Sequence, residues 1–372
     1  MATVLETSSY TERTDRYRVS VEEYITFRRQ GFLVVRGLVP QADIDLLRQH
    51  TEDLMQGRLP EQRSSRLDER YRSDASGVSV QPLAAPPEHL SPEEKAQYFL
   101  RIHMLHRKLE LHERFLLHPR VLDVLEVLIG PDVLALQTML FLKPPGKPGQ
   151  GWHQDSYYIP THPDSLCGAW IAIDECDELN GALWFAVGSQ HEPVYPPKKG
   201  YGYGDTQIAD IQRVGGVSNP NDEENDLTPI ANKYPQVLVA AQPGDVVFFG
   251  GHILHRSKKN FTTDRFRRAF VGHYCNARSF TQWGADTEPD NPHAATAIDP
   301  VTKMTNGSHI LARGDTHLPF AKPRFGTPCA ALLSPEERRR QREYALAAMG
   351  DMDSGMMGME MADPNQRDDD DM

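Results

Sequence analysis

The stretch "GWHQDSYYIP", residues 151–160, sets His153 and Asp155 two positions apart among aromatic side chains. An imidazole and a carboxylate at that spacing can serve one metal ion if the chain between them is extended, because alternate residues of a strand project from one face. Spacing alone decides nothing in a chain with 15 histidines and 52 acidic residues, and the pattern recurs at His50-Thr51-Glu52 and His162-Pro163-Asp164. His50 and Glu52 fall in "QADIDLLRQHTEDLMQ", which has a helical apolar period. Two residues apart on a helix point about 200° apart, which rules out a shared ion. His162 and Asp164 flank a proline in "PTHPDS", which reads as a turn. Only His153 and Asp155 lie in a segment whose composition favours extension. Without a third ligand the plainer reading, a hydrogen-bonded surface pair, is the favoured one.

A third ligand is available in "PGDVVFFGGHILHRSKKN", which reads as a turn, an alternating strand and a loop carrying His252 and His255. Two imidazoles and one carboxylate leave three positions open on an iron, the arrangement that lets non-haem Fe(II) take a chelating co-substrate together with O₂. His255 is the expected third ligand and His252 its rival. Arg267, in "RFRRAFVGHYCNA", shares a strand face with Ala269, Val271 and His273, the apolar side expected to turn inward, while Arg268 faces the other way. A buried guanidinium without an anion costs several kcal/mol. A protein carboxylate would satisfy it, and so would a co-substrate carboxylate held bidentately.

The elements that must position these residues follow from punctuation and period. Ser20-x-x-Glu23 is a capping box that opens a short helix through "EEYITFRRQ", ended by Gly31. "FLVVRGLV" then reads as a strand and "QADIDLLRQHTEDLMQ" as an amphipathic helix. Residues 60–92 form an irregular Pro- and Ser-rich excursion. A long helical pattern runs from Ser91 to about Leu116, and "HPRVLDVLEVLIG" continues the helical spacing to Gly130. Beyond it the rhythm becomes that of strands: "VLALQTMLFLKP", "CGAWIAID", "ALWFAVG", "QVLVAAQ", "GDVVFFGG" and "RRAFVGHYCNA". Helices followed by short strands predict a mainly β fold with flanking helices, a β-sandwich or jelly roll. The expected organisation is a single domain over residues 1–349, helical to about 130, with a jelly-roll core over about 131–280 and a C-terminal extension carrying a helix at 335–349. The polar insertion at 193–229 is expected to be a lid or a surface loop.

Composition narrows the function classes. Residues 350–372 hold eight acids, one arginine and half of the 12 methionines, so this tail is expected to be disordered and accounts for −7 of the net charge of −12. The body has no basic stripe, which argues against a nucleic-acid partner. No apolar run is long enough to cross a membrane and no signal peptide is evident, so a cytoplasmic protein acting on a small molecule is expected. Cys167, Cys176, Cys275 and Cys329 lack CxxC spacing and are expected to be reduced thiols. The sequence is silent on oligomeric state.

Taken together, HxD, a distal histidine about a hundred residues later and an arginine roughly ten residues beyond it resemble the Fe(II)/2-oxoglutarate oxygenases. More narrowly, "EEYITFRRQGFLVVRGLV", "LQTMLFLKPPG", "HQDSYY", "AWIAID", "NGALWFAVGSQH", "GDVVFFGGHILHRSKKN" and "FRRAFVGHY" resemble the phytanoyl-CoA dioxygenase family over residues 21–277. The resemblance implies a double-stranded β-helix of the cupin-like, jelly-roll type. It implies iron on His153, Asp155 and His255, the distal carboxylate of 2-oxoglutarate on Arg267 and Ser257, and Trp170 and Met139 lining the same pocket. The implied reaction is hydroxylation of an unactivated C–H of a small organic or acyl substrate, with 2-oxoglutarate decarboxylated to succinate. Trp152, Tyr157 and Tyr158, with Trp184, are candidate substrate-pocket walls or plain core. Arg256 stands where the family usually has glycine, which is expected to alter the pocket rim. A zinc hydrolase using the same ligands and a non-catalytic jelly-roll binding protein are the alternatives.

Overall fold

The computed structural model describes residues 15–64, 85–99, 101–195, 225–279, 281, 309–316, 318, 321–323 and 325. The centre of the expected 193–229 insertion, much of the 60–92 excursion, Cys329, the helix expected at 335–349 and the acidic tail lie outside these residues.

Helix α1 (Val21–Gln30) carries the capping box: Ser20 accepts from the Glu23 amide, and the Glu23 carboxylate accepts from the Ser20 amide. Gly31 ends the helix in the left-handed region, at φ 85°. Strand β1 (Phe32–Val35) follows, then α2 (Gln41–Met55), which buries Ile44, Leu47, Leu54 and Met55. After α3 (Pro60–Ser64) and α4 (Pro92–Ala96) the chain departs from the long helix expected between Ser91 and Leu116. Residues Arg101–His103 instead form β2, paired with residues 139–141 of a central strand, and Met104 turns the chain at φ 59°. Only Glu110–Leu116 is helical again, as α5, followed by α6 (Pro119–Leu128). The partner that overrides the helical period is tertiary: an open strand edge satisfies the backbone of 101–103 in place of a helix.

The remaining strands are β3 (Val133–Lys143), β4 (Gln150–His153), β5 (Cys167–Ala172), β6 (Leu183–Ala186), β7 (Gln236–Val239), β8 (Val246–Gly250), β9 (His255–Ser257), β10 (Arg267–Asn276) and β11 (Ile310–Arg313), with the single-turn α7 (Thr228–Ala231) before β7. They form two antiparallel sheets, one of seven strands in the order β1-β8-β5-β10-β3-β11 with β2 also on β3, and one of four in the order β4-β9-β6-β7. This is the jelly-roll core. The large sheet is buried on both faces, which explains strands such as "VVFFG" that are apolar throughout. Val246 and Phe248 face the helices, in a cluster with Leu47, Phe115, Leu122 and Phe270. Val247 and Phe249 face inward, with Phe32, Trp170, Phe185 and Val271. No helix among the described residues is long and apolar enough to cross a membrane. Cys167, Cys176 and Cys275 are buried free thiols, each pushed up to about 12 chiefly by burial and therefore neutral.

His112 lies in the layer between helices and sheet, its ring against His50 and Phe270. Neither ring nitrogen has a hydrogen-bond partner among the described residues. Burial, with His50 and His106 nearby, holds its pKa well below the ordinary histidine value. The folded state therefore binds fewer protons than the unfolded chain, and the stability this contributes is present above about pH 6.5 and lost as pH falls. Urea unfolding measured between pH 7.5 and 5 should show His112→Leu with a shallower acid loss, by up to about 1.4 kcal/mol per pH unit. Equal slopes in the two proteins would mean that His112 is not held neutral.

Candidate active site

His153 closes β4, Gln154 is extended at φ −123° and ψ 130°, and Asp155 opens a 3-10 turn, Asp155–Tyr157. His153 and Asp155 are thus not on one continuous strand as expected, but the single extended residue between them still turns both side chains to the same side. The turn is fixed by the Ser156 amide donating to the Gly251 carbonyl at 2.9 Å. A Cβ on Gly251 would lie 2.1 Å from Ser156 Oγ, so glycine is required for that approach. Gln154 faces away and ties the turn to its surroundings. Its amide donates to the His252 and Pro193 carbonyls at 2.8 and 3.0 Å, and its Oε1 accepts from the Tyr195 amide at 2.9 Å.

His255 lies on β9, a strand where a loop was expected, and pairs with His153 of β4 on one side and Phe185 of β6 on the other. The two imidazole centroids are 4.1 Å apart, and Phe249 packs on His255 at 4.8 Å. Each ring is oriented by its own chain: His153 Nδ1–H donates to the Gly151 carbonyl at 2.8 Å and His255 Nδ1–H to the Ile253 carbonyl at 3.1 Å. This leaves the Nε2 lone pair of each free, and both Nε2 atoms lie 3.6 Å from Asp155 Oδ1. That spacing is too long for a hydrogen bond. One ligand atom from each of the three buried residues lies within 4.8 Å of the others, a donor set suited to one divalent ion. Burial, and then the neighbouring His255, depress His153 to about 3, which keeps its ring neutral and ligating. Burial alone would favour the neutral form of Asp155, but His255 and His273 overcome it and hold the carboxyl well below its usual range. His252 stands apart, with Nδ1 donating to the Glu192 carbonyl at 3.1 Å and Nε2 3.4 Å from Asp164.

The cluster forms one end of a cavity of about 270 Å³ between the two sheets, and Arg267 lines it as well. Arg267 is 3% exposed, its guanidinium lies 5.8 Å from the rings of Phe141 and Trp170, and its Nε has no hydrogen-bond partner among the described residues. Burial lowers its pKa from the usual arginine value. Lys143, its register partner on β3, lines the cavity too, and donates to Ser257 Oγ at 3.1 Å and to the Lys258 carbonyl at 2.6 Å. Two cations opposite each other on adjacent strands repel unless an anion is shared between them. Arg268 does face the other way, and it is not the bystander that its orientation suggests. It pairs with Asp174 through two bonds of 2.7 and 2.8 Å and also with Glu52.

Met139, Trp170, Ser257 and Tyr158 line the cavity with the triad. Trp152 does not. It is 1% exposed in a separate cluster with Leu227, Ile230 and Leu254, on the outer face of the small sheet. Tyr157 likewise stays off the cavity wall and packs edge-on against Tyr158 at 5.0 Å. Arg256 stacks 4.6 Å over the Trp152 ring and 5.9 Å from that of Trp184, and it also contributes to the cavity lining. Sequence reasoning did not assign roles to Lys143, Gln137 or His273. Only His273 had a local signal, its even spacing from Arg267 on one strand face.

Fold and site define a jelly-roll protein with a buried two-histidine, one-carboxylate cluster facing a cation-lined cavity. The sequence profile of the phytanoyl-CoA dioxygenase family matches residues 27–269, and the chain belongs to that family. It is 28% identical over 266 residues to a probable phytanoyl-CoA dioxygenase of Caenorhabditis elegans, covering 69% of this chain and 76% of the relative. It is also 28% identical over 267 residues to the peroxisomal phytanoyl-CoA dioxygenase of Rattus norvegicus, covering 70% and 69%. Among solved structures, the fold resembles the epimerase SnoN in complex with Fe3+, alpha ketoglutarate and nogalamycin RO, with a TM-score of 0.52 and 17% identity over 77% of this chain and 94% of that one. It also resembles the non-heme monooxygenase ThoJ, with a TM-score of 0.51 and 18% identity over 87% and 99%.

If the cluster is the metal site, anaerobic Co(II) titration followed by visible absorption should show His255→Ala losing the ion and His252→Ala keeping near wild-type affinity. The reverse result would move the third ligand to His252.

Proposed function

We propose that the protein is an Fe(II)- and 2-oxoglutarate-dependent dioxygenase that hydroxylates an unactivated C–H of a small organic or acyl substrate. The observation that carries this reading is Arg267, a buried guanidinium at the cavity wall with no carboxylate partner among the described residues, in the same cavity as the His-Asp-His cluster. A zinc hydrolase or a simple binding protein leaves that cation without a task. A chelating keto acid with a second carboxylate gives it one.

His153, Asp155 and His255 would hold the iron through two neutral imidazoles and one carboxylate, leaving positions for a bidentate keto acid and O₂. When bound, iron with 2-oxoglutarate and O₂ supplies an oxidant strong enough for an unactivated C–H: the keto acid leaves as succinate and CO₂, one oxygen atom entering succinate and the other the product hydroxyl. Arg267 would hold the distal carboxylate through paired N–H groups. Lys143 adds a second positive charge beside it and donates to Ser257, leaving the Ser257 hydroxyl proton for the same anion. Phe141 and Trp170 keep water from the guanidinium, which strengthens the pairing. Met139, Phe249 and Val271 provide apolar wall between the two ends, suited to a hydrocarbon portion of a substrate.

Adding Fe(II) and then 2-oxoglutarate to the protein under nitrogen should produce a visible metal-to-ligand charge-transfer band, and no band would sink the reading. Arg267→Ala would leave the distal carboxylate buried without its partner, a loss of about 3–5 kcal/mol. Titrations followed by that band should then show 2-oxoglutarate affinity falling on the order of a hundredfold or more, at about 1.4 kcal/mol per tenfold. Iron affinity should survive, since Arg267 touches none of the three ligands. Wild-type affinity for 2-oxoglutarate in Arg267→Ala would remove the arginine from the co-substrate site.

A further inference from the structure

We infer that His273, held in one tautomer by Gln137, is a positioning residue that restricts Asp155 to presenting a single oxygen to the metal. This inference rests on the oxygenase reading. The two carboxylate oxygens of Asp155 have different surroundings. Oδ1 faces the Nε2 atoms of His153 and His255, at 3.6 Å from each. Oδ2 accepts a hydrogen bond from His273 Nε2–H at 2.8 Å. His273 is 4% exposed, so water cannot easily replace it in this contact.

The proton on His273 Nε2 is itself specified. Gln137 Nε2–H donates to His273 Nδ1 at 2.9 Å, so Nδ1 is the acceptor and Nε2 carries the hydrogen. Gln137 and His273 are direct register partners on β3 and β10, and the pairing shifts by a bulge just after His273. The chain Gln137 to His273 to Asp155 is therefore built from sheet register rather than from adjustable loop contacts. It is independent of the two histidine ligands, whose Nδ1 atoms use backbone carbonyls.

The consequence lies in the count of open coordination positions. A carboxylate free to rotate can bind a cation through both oxygens and would then occupy a position that a chelating keto acid and O₂ require. The His273 N–H on Oδ2 makes that rotation cost a buried hydrogen bond to a charged acceptor. It also fixes the orientation of the ligand, and partners of this kind typically change metal affinity by 10–100-fold when lost.

The test uses Co(II) alone, added under nitrogen to the full chain, because its visible absorption reports both affinity and coordination number. His273→Phe is expected to bind Co(II) about 10–100-fold more weakly than wild type, with an altered d–d spectrum, and to leave the apoprotein melting temperature within a few degrees. His273→Gln keeps an N–H donor and should recover most of the affinity and the wild-type spectrum. Gln137→Leu keeps the imidazole but releases its tautomer, and should shift both readouts in the same direction by a smaller amount. If His273→Phe fails to fold, Gln137→Leu decides. Wild-type affinity and spectrum in His273→Phe, or in Gln137→Leu where His273→Phe does not fold, would overturn the inference while leaving the oxygenase reading standing. A wild-type protein that binds no Co(II) would overturn both.

Discussion

The pairing of β10 with β3 sets the position of everything that could do chemistry in this molecule. The ladder runs from Arg267 opposite Lys143 to Asn276 opposite Val133, and each residue on its inner face has one address in the cavity. Arg267 falls at one end and His273 toward the other, so a single strand carries both the cation for a co-substrate and the partner of Asp155. A one-residue slip would exchange Arg267 for Arg268 and His273 for Tyr274, or, in the other direction, Arg267 for Phe266 and His273 for Gly272. The slip is resisted from the other face of the sheet, where Phe270 and Tyr274 are buried among helical side chains and the Tyr274 hydroxyl donates to the Leu116 carbonyl at 2.8 Å. Arg268, tied to Asp174 and Glu52, pins the same register electrostatically.

The small sheet meets this frame with opposite chemistry. β4 and β9 bring two imidazoles within 4.1 Å, with both Nε2 atoms turned to Asp155. Their orientation is arranged locally, since each Nδ1–H donates to a carbonyl two residues earlier in its own chain. Burial keeps the His153 ring neutral, as it disfavours the charged imidazolium. Among the described residues at the cavity, Asp155 is the formal anion: burial opposes its charge, but His255 and His273 beside it keep the carboxyl well below its usual range. The cavity thus has a ligating end and a cationic end separated by apolar wall, and its polarity follows from which strand faces turn inward.

Close backbone approach is the second requirement. Gly149 lies so near the Ser257 carbonyl that a Cβ there would be 1.8 Å away, and Gly251 admits the turn that carries Asp155. These glycines let β4, its following turn and the β8 to β9 connection converge on one point without side chains between them. Gln154, at the centre of the HxD tripeptide, then fastens that point to the carbonyls of His252 and Pro193.

Local physics made much of this legible in the chain itself. Alternation of apolar residues marked six of the strands, the capping box marked α1, and the parity of a strand put Arg267 and His273 on one face before any partner was known. Those features depend only on neighbours in sequence, as does the choice of His153 and Asp155 over the other two acid pairings. What could not be read locally depends on residues far apart in the chain. Residues 101–103 look helical and become a strand because β3 offers an open edge. His255, already the expected third ligand, is brought to the cluster by the pairing of β9 with β4, while His252 is held by Glu192 and Asp164. Trp152 leaves the cavity because it sits on the outward face of its strand, where Arg256 stacks on its ring. Composition and local spacing specified a jelly roll and the residue types of a metal cluster. That Lys143 stands opposite Arg267 and that Gln137 meets His273 at Asp155 came from the pairing of β3 with β10, because hydrogen bonds and charge pairs across a sheet are set by register, which no local window of sequence contains.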